Sequence, residues 1–156
     1  MNAIKLINKY KIFFIILVCG AMVFASCSSG DTQAFQSKEM LGSSEVPAVT
    51  TTGKGTLEGN YNTKTKEITL DLKWSLGNPN DTTTMGHIHK GAEGVSGPVV
   101  IPFTDLPKGS TDQEFKFVSQ PLTPEQESDL KAGSYYVNIH SNSFPAGELR
   151  AQLLLK

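Results

Sequence analysis

Three histidines are the only concentration of side chains in this 156-residue chain whose type and spacing point to a definite chemistry. His87 and His89 flank Ile88 within the run Met85–His89, and His140 ends the run Tyr135-Tyr136-Val137-Asn138-Ile139-His140. Side chains two apart on a strand project from the same face, so both imidazoles of the HxH pair stand together while Ile88 turns away. In the second run Tyr135, Val137 and Ile139 form an apolar row, and Tyr136, Asn138 and His140 form a polar one. If the two strands are neighbours, three neutral imidazoles converge. That donor set suits Zn²⁺ or Cu²⁺, with a fourth position for water or Glu148. Rings held more than about 8 Å apart would exclude a shared ion, because Zn–N bonds are near 2 Å. The alternative for the same residues is a structural polar network, in which the histidines only hydrogen-bond to their neighbours.

Other chemistries lack their parts. There is no GxSxG and no candidate thiol in the expected folded part, so the usual nucleophilic catalysis is not supported. The glycine-rich stretch Gly91–Gly97 links two strands and opens no helix, so it reads as a tight surface loop and not as a phosphate cradle. Asn142–Gly147 reads as a turn, with Phe144 as a packing plug.

The elements that must position the histidines are strands. From Ile68 to Leu76 apolar Ile68, Leu70, Leu72, Trp74 and Leu76 alternate with polar residues, the pattern of a strand with one face in a core. It pairs with Gly55–Tyr61 across the turn-rich Asn62–Lys66. Met85–His89, Pro98–Phe103, Glu114–Val118, Tyr135–His140 and Glu148–Leu155 follow as further short strands bounded by turn residues. Between them Thr123-Pro124-Glu125-Gln126 offers a capping box with Pro at the first helical position, and Gly133 stands where a helix stops. The expected fold is all-β, a single antiparallel sandwich-like domain of Greek-key type with one short helix. A hairpin through Ser141–Gly147 brings Asn138, Glu148 and Arg150 onto the face of His140, as a supporting polar face.

The first stretch sets the expected compartment. Lys5, Lys9 and Lys11 precede an apolar run, Ile12–Phe24, shorter than the roughly 20 residues a membrane-spanning helix needs. Phe24-Ala25-Ser26-Cys27 resembles the lipobox of bacterial lipoproteins, with Phe24 where Leu is usual. The expectation is therefore a lipoprotein signal peptide over 1–26, diacylated Cys27 as membrane anchor, a flexible tether over 27–34 and a β domain over 35–156. Such a protein is exported and lipid-anchored to the cell envelope, at the outer membrane on its periplasmic or surface side. Three of the 14 basic residues lie in the signal and all 15 acidic residues follow it, leaving 11 against 15, a charge of −4. A mildly acidic domain without a Lys/Arg cluster is a poor partner for nucleic acid, and its membrane contact should come from lipid. With Cys19 in the signal and Cys27 acylated, no disulfide is expected.

Five motifs occur in the order seen in CHRD domains. They are Leu41-Gly42 with Glu45-Val46-Pro47, Gly86-His87-Ile88-His89, Gly97-Pro98-Val99-Val100, Tyr136–His140 and Pro145–Leu153. From about Phe35 onward the chain thus resembles this family, named after chordin, an extracellular antagonist of bone morphogenetic proteins. The resemblance implies an all-β, sandwich-type extracellular module without a well-established activity in its microbial members. It maps the family's histidines onto His87, His89 and His140, and its Gly-Glu-Leu/Ile-Arg motif onto Gly147–Arg150. Gly86 and Ala151 are minor departures that remove no ligand. The HxH strand also resembles the copper strand of Cu/Zn superoxide dismutases, but those enzymes use more histidines and a disulfide. The function expected is a non-enzymatic binding or structural module of the envelope, with an unidentified envelope or extracellular protein or ligand as partner. The alternative is a copper- or zinc-binding protein built on the three histidines, and after it a metalloenzyme.

Overall fold

The computed structural model describes residues 30–156. Nine strands and one helix follow one another: β1 (Thr32–Ala34), β2 (Lys38–Leu41), β3 (Lys54–Asn62), β4 (Ile68–Ser75), β5 (Thr83–Lys90), β6 (Val99–Pro102), β7 (Gln113–Val118), α1 (Pro124–Lys131), β8 (Tyr135–Ser141) and β9 (Leu149–Leu153). All strand pairings are antiparallel, and they join into one sheet of order β6-β5-β8-β9-β2-β3-β4-β7, with β1 also on β3. The sheet curls on itself, so one sheet supplies both layers of the sandwich-like core. Its two ends meet through aromatic contacts: the ring of Phe103, just after β6, lies 5.5 Å from Phe115 and 4.7 Å from Phe117 of β7. The link 103–112 therefore joins the two extremes of the strand order over a short distance.

The alternation in β4 places Ile68, Leu70, Leu72 and Trp74 in the core, where they pack with Leu57, Tyr61, Ile88, Val137, Ile139, Leu149 and Leu153. Burying each large apolar side chain contributes on the order of 1.5–3 kcal/mol. Trp74 keeps its polar atom satisfied by donating Nε1–H to Thr83 Oγ1 at 3.0 Å. The capping box closes α1 as its sequence indicates: Thr123 Oγ1 accepts from Gln126 N–H at 3.2 Å, and Gln126 Oε1 accepts from Thr123 N–H at 2.9 Å. Gly133 follows the helix at φ +68°, a left-handed value that favours glycine.

Two strands depart from the sequence expectation. Thr32–Ala34, placed in the tether, pairs as β1 with Asn60–Asn62 of β3. Lys38–Leu41, assigned to no element, forms β2 between β3 and β9. Both are short, and the side chains of β1 are all exposed, so neither shows the alternation that marks a half-buried strand.

Candidate metal centre

The three histidines lie on β5 and β8, which are hydrogen-bonded neighbours. Their register sets Met85 opposite His140, His87 opposite Asn138 and His89 opposite Tyr136. Ile88 is fully buried, and a Cβ added to Gly86 would meet Phe103, Ile139 and Leu106, so the even-numbered positions face the core. The histidines take the other face, as strand alternation requires. One nitrogen from each imidazole lies within 4.8 Å of the other two. Ring centroids are 5.1 Å apart for His87–His140, 5.4 Å for His87–His89 and 6.1 Å for His89–His140. The convergence that separates a shared site from scattered surface histidines is thus present.

Backbone carbonyls set two of the tautomers. His89 Nδ1 lies 2.9 Å from Gly97 O, and His140 Nδ1 lies 3.0 Å from Pro145 O. A carbonyl only accepts, so each Nδ1 carries the hydrogen and each Nε2 keeps its lone pair. Orienting a ring through its second nitrogen in this way is common around metal-binding histidines. His89 Nε2 is buried and has no hydrogen-bond partner, whereas His140 Nε2 lies 3.3 Å from His87 Nδ1. His87 is the half-buried member of the three.

The rings are held neutral. Burial pushes His87 down to about 4, helped by the neighbouring charges of His140 and His89. Burial also lowers His89 and His140; the carbonyls of Gly97 and Pro145 pull each partly back up, while Arg150 depresses His89 further and His89 depresses His140. Neutral imidazole is the form that ligates a metal, so these rings need no deprotonation near neutral pH.

The polar sheet face is roofed over. Every residue of β8 and β9 is buried, including Asn138, His140, Arg150 and Gln152. Arg150 Nη2 donates to Ala92 O at 3.1 Å and Val95 O at 2.9 Å, and Gln152 Nε2 donates to Gly91 O at 2.8 Å. The glycine-rich loop is therefore a lid pinned to the sheet, a role its composition does not reveal. The Arg150 guanidinium lies 3.5 Å from the centroid of Tyr136, and Tyr136 stacks on His89 at 4.9 Å.

The supporting residues divide between two tasks. Asn138 lies opposite Arg150 and donates Nδ2–H to Glu45 Oε2 at 3.2 Å. Glu148, expected as a candidate for a fourth ligand position, works elsewhere. Its Oε1 accepts from Thr51 Oγ1–H and Gly77 N–H, both at 2.7 Å, tying two loops together at the start of β9. The residue that sequence reasoning left out of the site is Glu45, which is buried beside Arg150 and Asn138. The only signal for it was its place in the Glu45-Val46-Pro47 motif. Cys27 lies outside the described residues.

Fold and site together define a small all-β module carrying a histidine cluster beneath loops on one sheet face. The chain belongs to the CHRD domain family: the model of the CHRD domain matches residues 36–153, which contain all three histidines and Asn138, Glu148 and Arg150. Comparison with curated proteins and with solved structures gives no significant match.

Proposed function

We propose that this is an exported, lipid-anchored CHRD-domain protein acting as a non-enzymatic binding module, whose ligand is a transition-metal ion held by His87, His89 and His140. The observation that carries this reading is the convergence of three neutral imidazoles within 4.8 Å, two of them oriented by backbone carbonyls. Copper and zinc are the ions that such nitrogen donors suit. The lipobox-like Phe24–Cys27 supports the anchor. Only Ser28–Asp31 then separate Cys27 from β1, which keeps the domain within about 20 Å of the bilayer at ~3.5 Å per extended residue. The bond between His87 and His140 favours a second reading, in which the cluster is a structural polar network.

The test is elemental analysis of the full-length protein, purified in mild detergent without a polyhistidine tag, with Cu²⁺ and Zn²⁺ titrations of wild type and His89→Ala. One equivalent bound with sub-micromolar affinity, and lost in a variant that keeps its circular dichroism spectrum, is the expected result. Binding no tighter than loose surface histidines provide would leave the network reading.

A further inference from the structure

We infer that the fourth donor at this centre is the thioether sulfur of Met85, and that the ion the centre takes is copper(I). The inference rests on the three-histidine reading above. Met85 precedes His87 by two residues on β5 and therefore shares its face, and the strand register sets it directly opposite His140. Cross-strand partners have Cβ atoms about 4.5–5.5 Å apart, within reach of a long, unbranched side chain. Met85 is also 46% exposed, on the same side as His87, the least buried of the three rings. Its thioether is therefore accessible on the face that carries the imidazoles. Swung over the cluster, its sulfur caps the open side.

Charge selects the ion. Among the described residues, no carboxylate or thiolate joins the three imidazoles in the cluster. A divalent ion there would keep its full double charge, with the Arg150 guanidinium one aromatic ring away. A singly charged, soft ion suffers half that repulsion and gains from a thioether, a donor that zinc seldom uses. Copper(I) meets both conditions. It is bound as supplied, so no electron transfer accompanies binding.

The experiment is an anaerobic competition for copper(I) against bicinchoninate, using the full-length protein as wild type and Met85→Leu, beside Zn²⁺ titrations of both. Copper K-edge X-ray absorption of the loaded proteins is recorded as well. Leu preserves an exposed apolar side chain, so folding is not at issue. Wild type should bind one copper(I) with a sulfur scatterer in its shell. Met85→Leu should lose that scatterer and at least about tenfold in copper(I) affinity, the loss that even outer partners of a metal cause, with Zn²⁺ binding unchanged. Equal copper(I) affinity in the two proteins, with nitrogen scatterers alone, would overturn Met85 as a ligand and leave the three histidines standing. Tighter binding of Zn²⁺ than of copper(I) by wild type would overturn the choice of ion. Binding of neither ion would instead sink the metal reading on which the inference rests.

Discussion

Replacing Glu45 by Gln exchanges one carboxyl oxygen for an amide nitrogen in a side chain only 8% exposed. Burial pushes the Glu45 carboxyl from 4.5 up to about 7, against the opposing pull of the Arg150 charge and the Asn138 hydrogen bond. Between those two pH values the unfolded chain has released its proton and the folded chain has kept it. Stability then falls as pH rises, by about 1.4 kcal/mol per pH unit, or at most roughly 3 kcal/mol across the window. The histidines act in the opposite sense. With His87 held down at about 4 against an ordinary 6.5, the unfolded chain binds protons first, and stability falls as pH drops through that range. The two slopes partly cancel in the wild type, so the informative quantity is the difference between proteins. Urea unfolding of wild type and Glu45→Gln at pH 4.5 and pH 8 supplies it. The amide that replaces the carboxyl does not titrate, so the variant should gain ~1–3 kcal/mol over wild type between the lower and the higher pH. A difference that stays constant across that interval would refute the argument that the carboxyl is buried without adequate compensation.

Gly97→Ala tests how the site is held without touching a ligand. The new Cβ would land on the carbonyl oxygen of Lys90, so the loop must move and carry with it the Gly97 carbonyl that orients His89. Metal affinity by titration should fall by about 10–100-fold, as for other outer partners of a ligating histidine; an unchanged affinity would show that the tautomer is set in another way. Trp74→Phe removes the donor to Thr83 Oγ1, a buried hydroxyl that itself donates to Gly109 O at 2.8 Å. Unfolding should become easier by about 1–3 kcal/mol in chemical denaturation. Thr123→Ala deletes the side-chain cap of α1 and should cost ~1 kcal/mol in the same assay.

What could be read from the residues alone follows from the range over which each signal acts. The faces of β4, β5 and β8 were legible because alternation is local: Ile68 to Trp74 fixes one core face, and His87-Ile88-His89 fixes the side of both imidazoles. The cap of α1 was legible for the same reason. That β5 lies beside β8 was not, since His87 and His140 are 53 residues apart and no local pattern specifies a partner at that distance. The pairing stood only as a condition, and the register supplies it. β1 and β2 were missed because strands of three and four residues carry too few alternations to register. The roof over β8 and β9 was missed because Tyr136, Asn138, His140 and Arg150 look like an outward face; the bonds of Arg150, Gln152, Tyr136 and His89 to the loop show that Gly91–Gly97 closes on them.

That roof bears on the choice between a structural network and a binding face. Five of the buried side-chain atoms on β5, β8, β9 and the loops next to them that have no hydrogen-bond partner among the described residues are Glu45 Oε1, Asn138 Oδ1, His89 Nε2, Glu148 Oε2 and Gln152 Oε1. Each unpaired buried polar group costs about 1–3 kcal/mol, and a network kept for stability would pair acceptors with donors. Here all five are acceptors, since the lone pair of His89 Nε2 counts with the four oxygens. Those of His89, Asn138 and Gln152 sit on the sheet face that carries the histidines, and Glu45 lies beside Asn138 and Arg150. An excess of acceptors of one kind calls for protons or a cation. The raised carboxyl of Glu45 answers part of that demand with a proton, and the open Nε2 of His89, beside two further imidazoles held neutral, is the acceptor that the metal ion proposed above would take.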